Sequence, residues 1–172
     1  MSAPDDESFT AFVHEHGAHL LRIATLLAGD RAAGEDLLQG VLERTYRRWG
    51  HVQRVASPQA YVHGAILNAA RGGWRVRRRH REHLVERAPD LPVAGGQHDA
   101  TVRHVLLTAL GELSRRQRAV IVLRYFADQS EADVARLLGC SVGTVKAHAS
   151  RGLQRLRSDP RLTPTLDAVQ EN

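Results

Sequence analysis

Cysteine, lysine and aromatic residues are scarce in this 172-residue chain. The single cysteine, Cys140, excludes a disulfide within the chain and is typical of a protein kept in a reducing cytoplasm. No apolar run is long enough to span a bilayer, and the acidic start Asp5-Asp6-Glu7 is unlike a signal peptide. We therefore expect a cytoplasmic protein without membrane insertion.

The sequence also lacks the motifs of common enzymes and metal sites. It contains no nucleophile motif, phosphate-binding loop or pair of catalytic carboxylates. His14, His16 and His19 do not share one helical face, and no cysteine or carboxylate motif accompanies them. We expect no enzymatic activity and no cofactor, and a metal-dependent enzyme is the least favoured alternative.

Positively charged residues outnumber acidic residues, with 24 lysines and arginines against 19 aspartates and glutamates. The net charge of +5 and a sequence pI near 10.3 favour a polyanionic partner, although charge alone does not separate nucleic acid from an anionic membrane. A hydrophobic content of 42% in a chain of this length allows one domain or two small ones. Two small domains are the preferred interpretation.

Two short helices across a glycine turn are predicted between Ser130 and Arg157. Ser130 begins a capping box that starts the first helix, and Gly139 ends it. Ser141 is placed to cap the second helix. One stripe of this second helix is apolar and is predicted to be buried: Val142, Val145, Ala149, Leu153 and Leu156.

The other face of the second helix carries small residues followed by cations. Its members are Gly143, Thr144, Ala147, His148, Arg151 and Arg155, flanked by Lys146 and Ser150. This pattern suits a helix-turn-helix whose second helix enters a major groove of DNA. The alternative is an ordinary helical hairpin with a solvated basic face.

The run Glu131-Ala-Asp-Val-Ala-Arg-Leu-Leu-Gly-Cys-Ser-Val-Gly-Thr-Val-Lys146, ending in Arg151-Gly-Leu-Gln-Arg-Leu-Arg157, resembles region four of bacterial extracytoplasmic-function (ECF) sigma factors. Related helix-turn-helix activators share the centre of this run. The resemblance implies that the second helix reads the minus-35 promoter element. The residues implied in that contact are Ser141, Thr144, Lys146, Ala147, His148, Ser150, Arg151 and Arg155.

Two amphipathic helices are predicted near the start of the chain. The first runs from Phe9 to Leu27 and is closed by Gly29, and the second is capped by Asp30. The predicted inward row of the second helix is Ala33, Leu37, Val41, Thr45 and Trp49. An acidic ridge on another side consists of Glu35, Asp36, Gln39 and Glu43. On charge alone this ridge is interpreted as a solvated face.

The segment Gly34-Glu-Asp-Leu-Leu-Gln39, followed by Val41 and Arg44-Thr-Tyr-Arg-Arg-Trp49, resembles region two of ECF sigma factors. The resemblance implies that the acidic ridge docks on the clamp of the largest RNA polymerase subunit. Gly34 replaces the usual alanine and Gly40 the usual acidic residue. Each glycine is expected to weaken the helix by roughly 0.5–1 kcal/mol relative to alanine.

A third helix is predicted from Ser57-Pro58 into a cluster of arginines. Aromatic side chains near these cations could stack on unpaired bases, although such a cluster is often only a solvated helix end. The resemblance assigns the preceding loop, 51–57, and this helix to the minus-10 element as single-stranded DNA. The implied residues are Tyr61, Asn68, Arg71, Trp74, Arg75 and Arg78. His63-Gly64 stands where the family commonly has basic residues.

Prolines and glycines without periodicity predict an interdomain linker over residues 86–99. The chain is therefore predicted to be all-α, with two small helical domains, 8–85 and 100–158, joined by that flexible linker. It is identified as a member of the ECF sigma factors. The implied partners are promoter DNA and core RNA polymerase, through the clamp of the largest subunit and the flap of the second largest, with an anti-sigma factor as a further candidate. The alternative is a stand-alone helix-turn-helix regulator that binds DNA as a dimer.

Overall fold

The computed structural model describes residues 3–80 and 97–162, with side chains over 5–73 and 101–162. The described part of the chain forms helices and no strand, which confirms the all-α prediction. An N-terminal unit contains α1 (Ala3–Ala28), α2 (Arg31–Tyr46), α3 (Trp49–Val52) and α4 (Pro58–His80). A C-terminal unit contains α5 (Gln97–Gly111), α6 (Arg115–Tyr125), α7 (Glu131–Leu138) and α8 (Val142–Arg157).

The turn between α1 and α2 is formed by Gly29 and Asp30, as predicted. Gly29 directly follows the end of α1 and adopts φ +101°, a conformation that glycine tolerates best. Asp30 then caps α2, since its Oδ1 accepts a hydrogen bond of 2.8 Å from the Ala33 amide. The two helices are therefore antiparallel neighbours.

The inward row of α2 differs from the prediction by one position. Gly34, Leu38, Val41 and Thr45 are buried, whereas Ala33 and Leu37 are only half-buried. Gly34 is the cause, because a Cβ at this position would stand 2.6 Å from the Thr25 Cα on α1. Because glycine has no Cβ, the backbones of α1 and α2 approach closely here. This contact rotates α2 about its axis so that Gly34 faces α1.

Gly34 and Gly40 are expected to respond to alanine in opposite directions. Gly34→Ala should lower the free energy of unfolding by about 1–3 kcal/mol, because the added methyl group meets backbone atoms that cannot move aside. Gly40→Ala should raise it by about 0.5–1 kcal/mol, because only the mobile guanidinium of Arg44 is nearby, at 3.8 Å. Urea unfolding of both variants measures the difference. Equal effects would contradict the tight α1–α2 contact.

Trp49 belongs to a separate one-turn helix, α3, and does not extend the row on α2 as predicted. Its indole is 3% exposed and packs against two rings of α1. The ring centroids of Phe9 and Phe12 lie 5.2 and 5.0 Å from that of Trp49. Residues 51 and 52 of the predicted loop 51–57 are consequently helical.

The C-terminal unit has four helices, and the helix ends predicted at Ser130, Gly139 and Ser141 are confirmed, although only the Ser130 half of the predicted capping box is formed. Ser114 and Gln117 form a reciprocal capping box at the start of α6. The Ser130 hydroxyl accepts from the Asp133 amide, and Gly139 ends α7 at φ +65°. Ser141 Oγ accepts from the Thr144 amide at 3.1 Å, which starts α8.

The buried side of α8 is narrower than predicted. Val145 and Gly152 are buried, while Ala149, Leu153 and Leu156 are half-buried. Gly152 packs on α6, where a Cβ would stand 3.0 Å from the Ile121 side chain. Val142, at the first position of α8, was predicted to be buried but is 38% exposed.

The N-terminal and C-terminal units touch directly. The Arg22 guanidinium of α1 lies 5.9 Å from the Phe126 ring centroid, and buried side chains of both units form one continuous cluster. The helix α5 begins at Gln97, so residues 97–99 of the predicted linker are helical. The rest of that linker that precedes residue 97 lies outside the described residues.

Candidate nucleic-acid interface and acidic ridge

The outer face of α8 is accessible along its length. The cations on it are held differently: Lys146 Nζ lies 3.6 Å from Glu131 Oε2 on α7, whereas Arg151 and Arg155 form no ion pair within the described chain. The two arginines are therefore available to an external anion or base. Of the predicted minus-35 residues, Ser141, Lys146, Ala147, Ser150, Arg151 and Arg155 are exposed, and Thr144 and His148 are half-buried.

His148 is less open than its position on the predicted face implies. Its Nδ1 atom is shielded from solvent and has no hydrogen-bond partner among the described residues. The other ring edge must therefore provide any contact to DNA. The Thr144 hydroxyl already has a hydrogen-bond partner within the protein, because it lies 2.9 Å from the Ser141 hydroxyl at the start of α8.

The predicted minus-10 residues follow one side of α4. Tyr61 is 38% exposed, Asn68 is exposed and Arg71 is half-buried. Tyr61 and Asn68 are seven residues apart, so they share a helical face. Trp74, Arg75 and Arg78 continue α4, and their side chains lie outside the described part of the chain.

A cationic groove lies between α2 and α4 beside Tyr61. Its volume is about 350 Å³, and its lining is Val41, Arg44, Thr45, Arg47, Arg48, Tyr61 and Ala65. The three arginines were not among the predicted site residues. Arg44 lies in the last turn of α2, Arg47 is its C-cap and Arg48 follows it. The clustering of these three arginines within five residues was a signal available in the sequence.

The loop that carries residues 51–57 is tied to the first turns of α1. Trp49 Nε1 donates to Ser8 Oγ at 2.7 Å, and Gln53 Nε2 donates to Asp5 Oδ1 at 2.7 Å. The Ser8 hydroxyl also lies 3.1 Å from Gln53 Oε1. These bonds tie the segment that directly follows Arg47 and Arg48 to α1.

The acidic ridge is solvent-facing. Glu35, Asp36, Gln39 and Glu43 are all exposed, while the opposite side of α2 packs on α1 and α4. Arg31 Nε lies 2.7 Å from Glu35 Oε1 and partly neutralises that end of the ridge. Beside Gly40 the nearest atoms to an added Cβ would be those of the Arg44 guanidinium, at 3.8 and 3.9 Å.

The histidines of α1 do not gather into a metal site. Within the described residues, no group of three histidine, cysteine or acidic side chains could hold a metal ion. His19 instead lies against His63 of α4, with ring centroids 5.5 Å apart. None of the described helices is long and apolar enough to cross a membrane.

These features define a DNA-binding protein with a C-terminal helix-turn-helix and an N-terminal unit that presents a cationic groove and a separate acidic ridge. Family models match both units: Sigma-70 region 2 matches residues 12–80, and Sigma-70 region 4 matches residues 103–156. The chain is 34% identical over 151 residues to the RNA polymerase sigma-E factor of Streptomyces coelicolor, covering 88% of this chain and 85% of the relative.

It is also 30% identical over 154 residues to the ECF RNA polymerase sigma factor SigL of Mycobacterium tuberculosis, covering 86% of this chain and 85% of the relative. The chain belongs to the ECF RNA polymerase sigma factors. The sigma factor RpoE of Bartonella quintana, solved in complex with the anti-sigma factor NepR, is similar with a TM-score of 0.71 and 25% identity over 88% of this chain and 95% of RpoE. CnrH, solved with the cytosolic domain of CnrY, shares the fold with a TM-score of 0.60 and 23% identity over 95% of this chain and 90% of CnrH.

Proposed function

We propose that this sigma factor docks on core RNA polymerase through the acidic ridge and reads its promoter with α8 and α4. The ridge, comprising Glu35, Asp36, Gln39 and Glu43, would meet basic residues on the clamp of the largest subunit. The C-terminal unit would meet the flap of the second-largest subunit. The observation that carries this proposal is the exposure of the whole ridge on a helix whose other side is already packed.

The chain is proposed to work as two functional units, residues 8–85 and 100–158, connected by residues 86–99, of which the last three belong to α5. It acts in the cytoplasm by conferring promoter specificity and catalyses no reaction of its own. RpoE was solved with the anti-sigma factor NepR, and CnrH with the cytosolic domain of CnrY. We extend to this chain the proposal of an anti-sigma partner.

Transcription in vitro tests this function most directly. Purified protein and core RNA polymerase are incubated with genomic fragments, and the start sites of the transcripts are mapped. Transcripts that depend on the added protein and share upstream elements support the proposal. Binding to DNA as a dimer without association with core polymerase would favour the stand-alone regulator instead.

Within the minus-10 site, we add the cationic groove to the predicted residues. Arg44, Arg47 and Arg48 line it next to the exposed ring of Tyr61. Guanidinium groups beside an aromatic ring can hold phosphates while a base stacks. Directly after these arginines, Trp49 and Gln53 donate to Ser8 and Asp5, which ties this part of the chain to α1.

On α8, Lys146 and Arg151 are expected to contribute differently. Lys146→Ala should weaken all promoters alike and reduce the salt dependence, because an edge cation mainly contacts phosphate. Arg151→Ala should cost about 1–3 kcal/mol on the cognate minus-35 element and relax its sequence preference, because an arginine can read a base edge. Holoenzyme binding to promoter variants at several salt concentrations measures both. If both variants lose affinity equally for all promoter variants, Arg151 contacts phosphate and does not read a base.

A further inference from the structure

The first turns of α1 hold the segment that leads from the end of α2 through α3. Three side chains of this segment donate hydrogen bonds to side chains of α1. The pairs are Tyr46 to Asp6 at 2.8 Å, Trp49 to Ser8 at 2.7 Å and Gln53 to Asp5 at 2.7 Å. The Phe9 ring contacts two of the donors, with its centroid 5.0 Å from that of Tyr46 and 5.2 Å from that of Trp49. Residues 46–53 are therefore attached to α1 at three points.

The spacing of the three donors determines which side chains of the segment face solvent. The donors are three and four residues apart, so in this largely helical stretch they share one side. That side is turned to α1, and each donor is buried or half-buried. The basic side chains at the positions between and after the donors are all exposed: Arg47, Arg48, His51 and Arg54.

The residues between the donors line the surface assigned to the promoter strand. Arg47 and Arg48 line the cationic groove beside Tyr61, and they continue into a second, more open depression of about 640 Å³. The remaining lining of this depression is Gly50 and His51. Each lining residue of the depression thus lies between two residues that are bound to α1. The Asp5 carboxylate also lies close to this backbone, since a Cβ on Gly50 would stand 3.9 Å from Asp5 Oδ2.

We propose that Asp5 and Ser8 of α1 are positioning residues for the minus-10 site, and that they act through Gln53 and Trp49. The proposal rests on the proposed function. The hydrogen bonds to α1 hold the basic side chains of residues 47–51 in one arrangement before DNA arrives. The ligand of this arrangement is the phosphate backbone of the unpaired promoter strand. A surface that is fixed in advance loses less conformational entropy when it binds.

Binding of a single-stranded minus-10 oligonucleotide by the holoenzyme tests this role. The oligonucleotide is taken from a promoter mapped by transcription in vitro. Gln53→Met removes the hydrogen bonds of this side chain to α1 and keeps a similar length. The affinity for the oligonucleotide should fall about five- to tenfold, because the binding-competent arrangement of the segment becomes a minor fraction. The affinity of the same holoenzyme for minus-35 duplex should equal that of the wild type.

Variants of Asp5 separate positioning from an effect of charge. Asp5→Ala removes the acceptor and should weaken oligonucleotide binding as Gln53→Met does. Asp5→Asn should restore binding close to that of the wild type, because an amide oxygen still accepts from Gln53 Nε2 although the charge is lost. Glu7→Gln is the matched control, since it removes a carboxylate from an exposed position two residues away. Its affinity for the oligonucleotide should equal that of the wild type.

Three results would overturn the positioning role. An unchanged affinity of Gln53→Met for the oligonucleotide would show that the segment keeps its arrangement without this anchor. An equal loss of affinity for minus-35 duplex would show a general loss of structure. Tighter oligonucleotide binding by both Asp5 variants would show that the carboxylate acts only by repelling DNA. If the wild-type holoenzyme does not prefer the minus-10 oligonucleotide over one of scrambled sequence, it is the proposed function that has failed.

Discussion

Replacing Asp36 by arginine and Gln39 by alanine is expected to leave the chain folded and to abolish its association with core RNA polymerase. Both side chains are exposed, so their loss should change the free energy of unfolding by less than about 0.5 kcal/mol. If they meet basic residues in a desolvated contact, the reversal of charge should cost about 2–5 kcal/mol of association. Co-purification with core polymerase and run-off transcription should both be lost.

Glu15→Arg is the matched control for this ridge variant. It makes the same change of charge on α1, where the Glu15 side chain is 75% exposed and lies outside the ridge. The control should transcribe normally, and the affinity of both full-length variants for minus-35 duplex should equal that of the wild type. If the ridge variant still forms a transcribing holoenzyme, then the chain docks on the polymerase through a surface other than the acidic ridge.

Acid is expected to destabilise the chain through His63. Burial, together with the nearby imidazoles of His19 and His16 on α1, lowers the pKa of His63 from 6.5 to about 4. Between these two values the unfolded chain binds a proton that the folded chain does not. The free energy of unfolding therefore falls as the pH is lowered from 6.5, and the loss is complete near pH 4. Its full size is about 3 kcal/mol.

The slope of stability against pH isolates this effect from any change in packing. Urea unfolding of His63→Leu should give a flatter dependence than the wild type over the same pH range, whatever its absolute stability. His14→Gln, at an exposed position on α1, should keep the wild-type slope. Identical slopes for wild type and His63→Leu would show that His63 is solvated in the folded chain.

Local features of the fold could be predicted because their causes are local in sequence. Asp30, Ser114, Ser130 and Ser141 each accept a backbone amide hydrogen bond three residues ahead, so the residue type and spacing are sufficient signals. Gly139 is similar, since a left-handed residue after a helix favours glycine. These positions mark helix ends wherever the helices later pack.

Features that depend on packing between helices were predicted less well. The tight approach of Thr25 to Gly34 moved the buried row of α2 by one position from the predicted one. A pattern of apolar residues does not predict this, because it does not count glycine as a buried residue. His63 was noted only as a departure from basic residues, yet it is enclosed by α1 and the segment before α7. The roles assigned to individual residues in the minus-35, minus-10 and polymerase contacts stay predictions.

The packing of α2 also has a consequence for protein synthesis. The ridge helix packs chiefly on α1 and α4, so its main supports are all encoded before residue 81. Translation of the remaining chain takes about 5–20 s at typical rates, and domains commonly fold as they emerge. A nascent chain would thus present the acidic ridge on the ribosome seconds before it possesses a recognition helix.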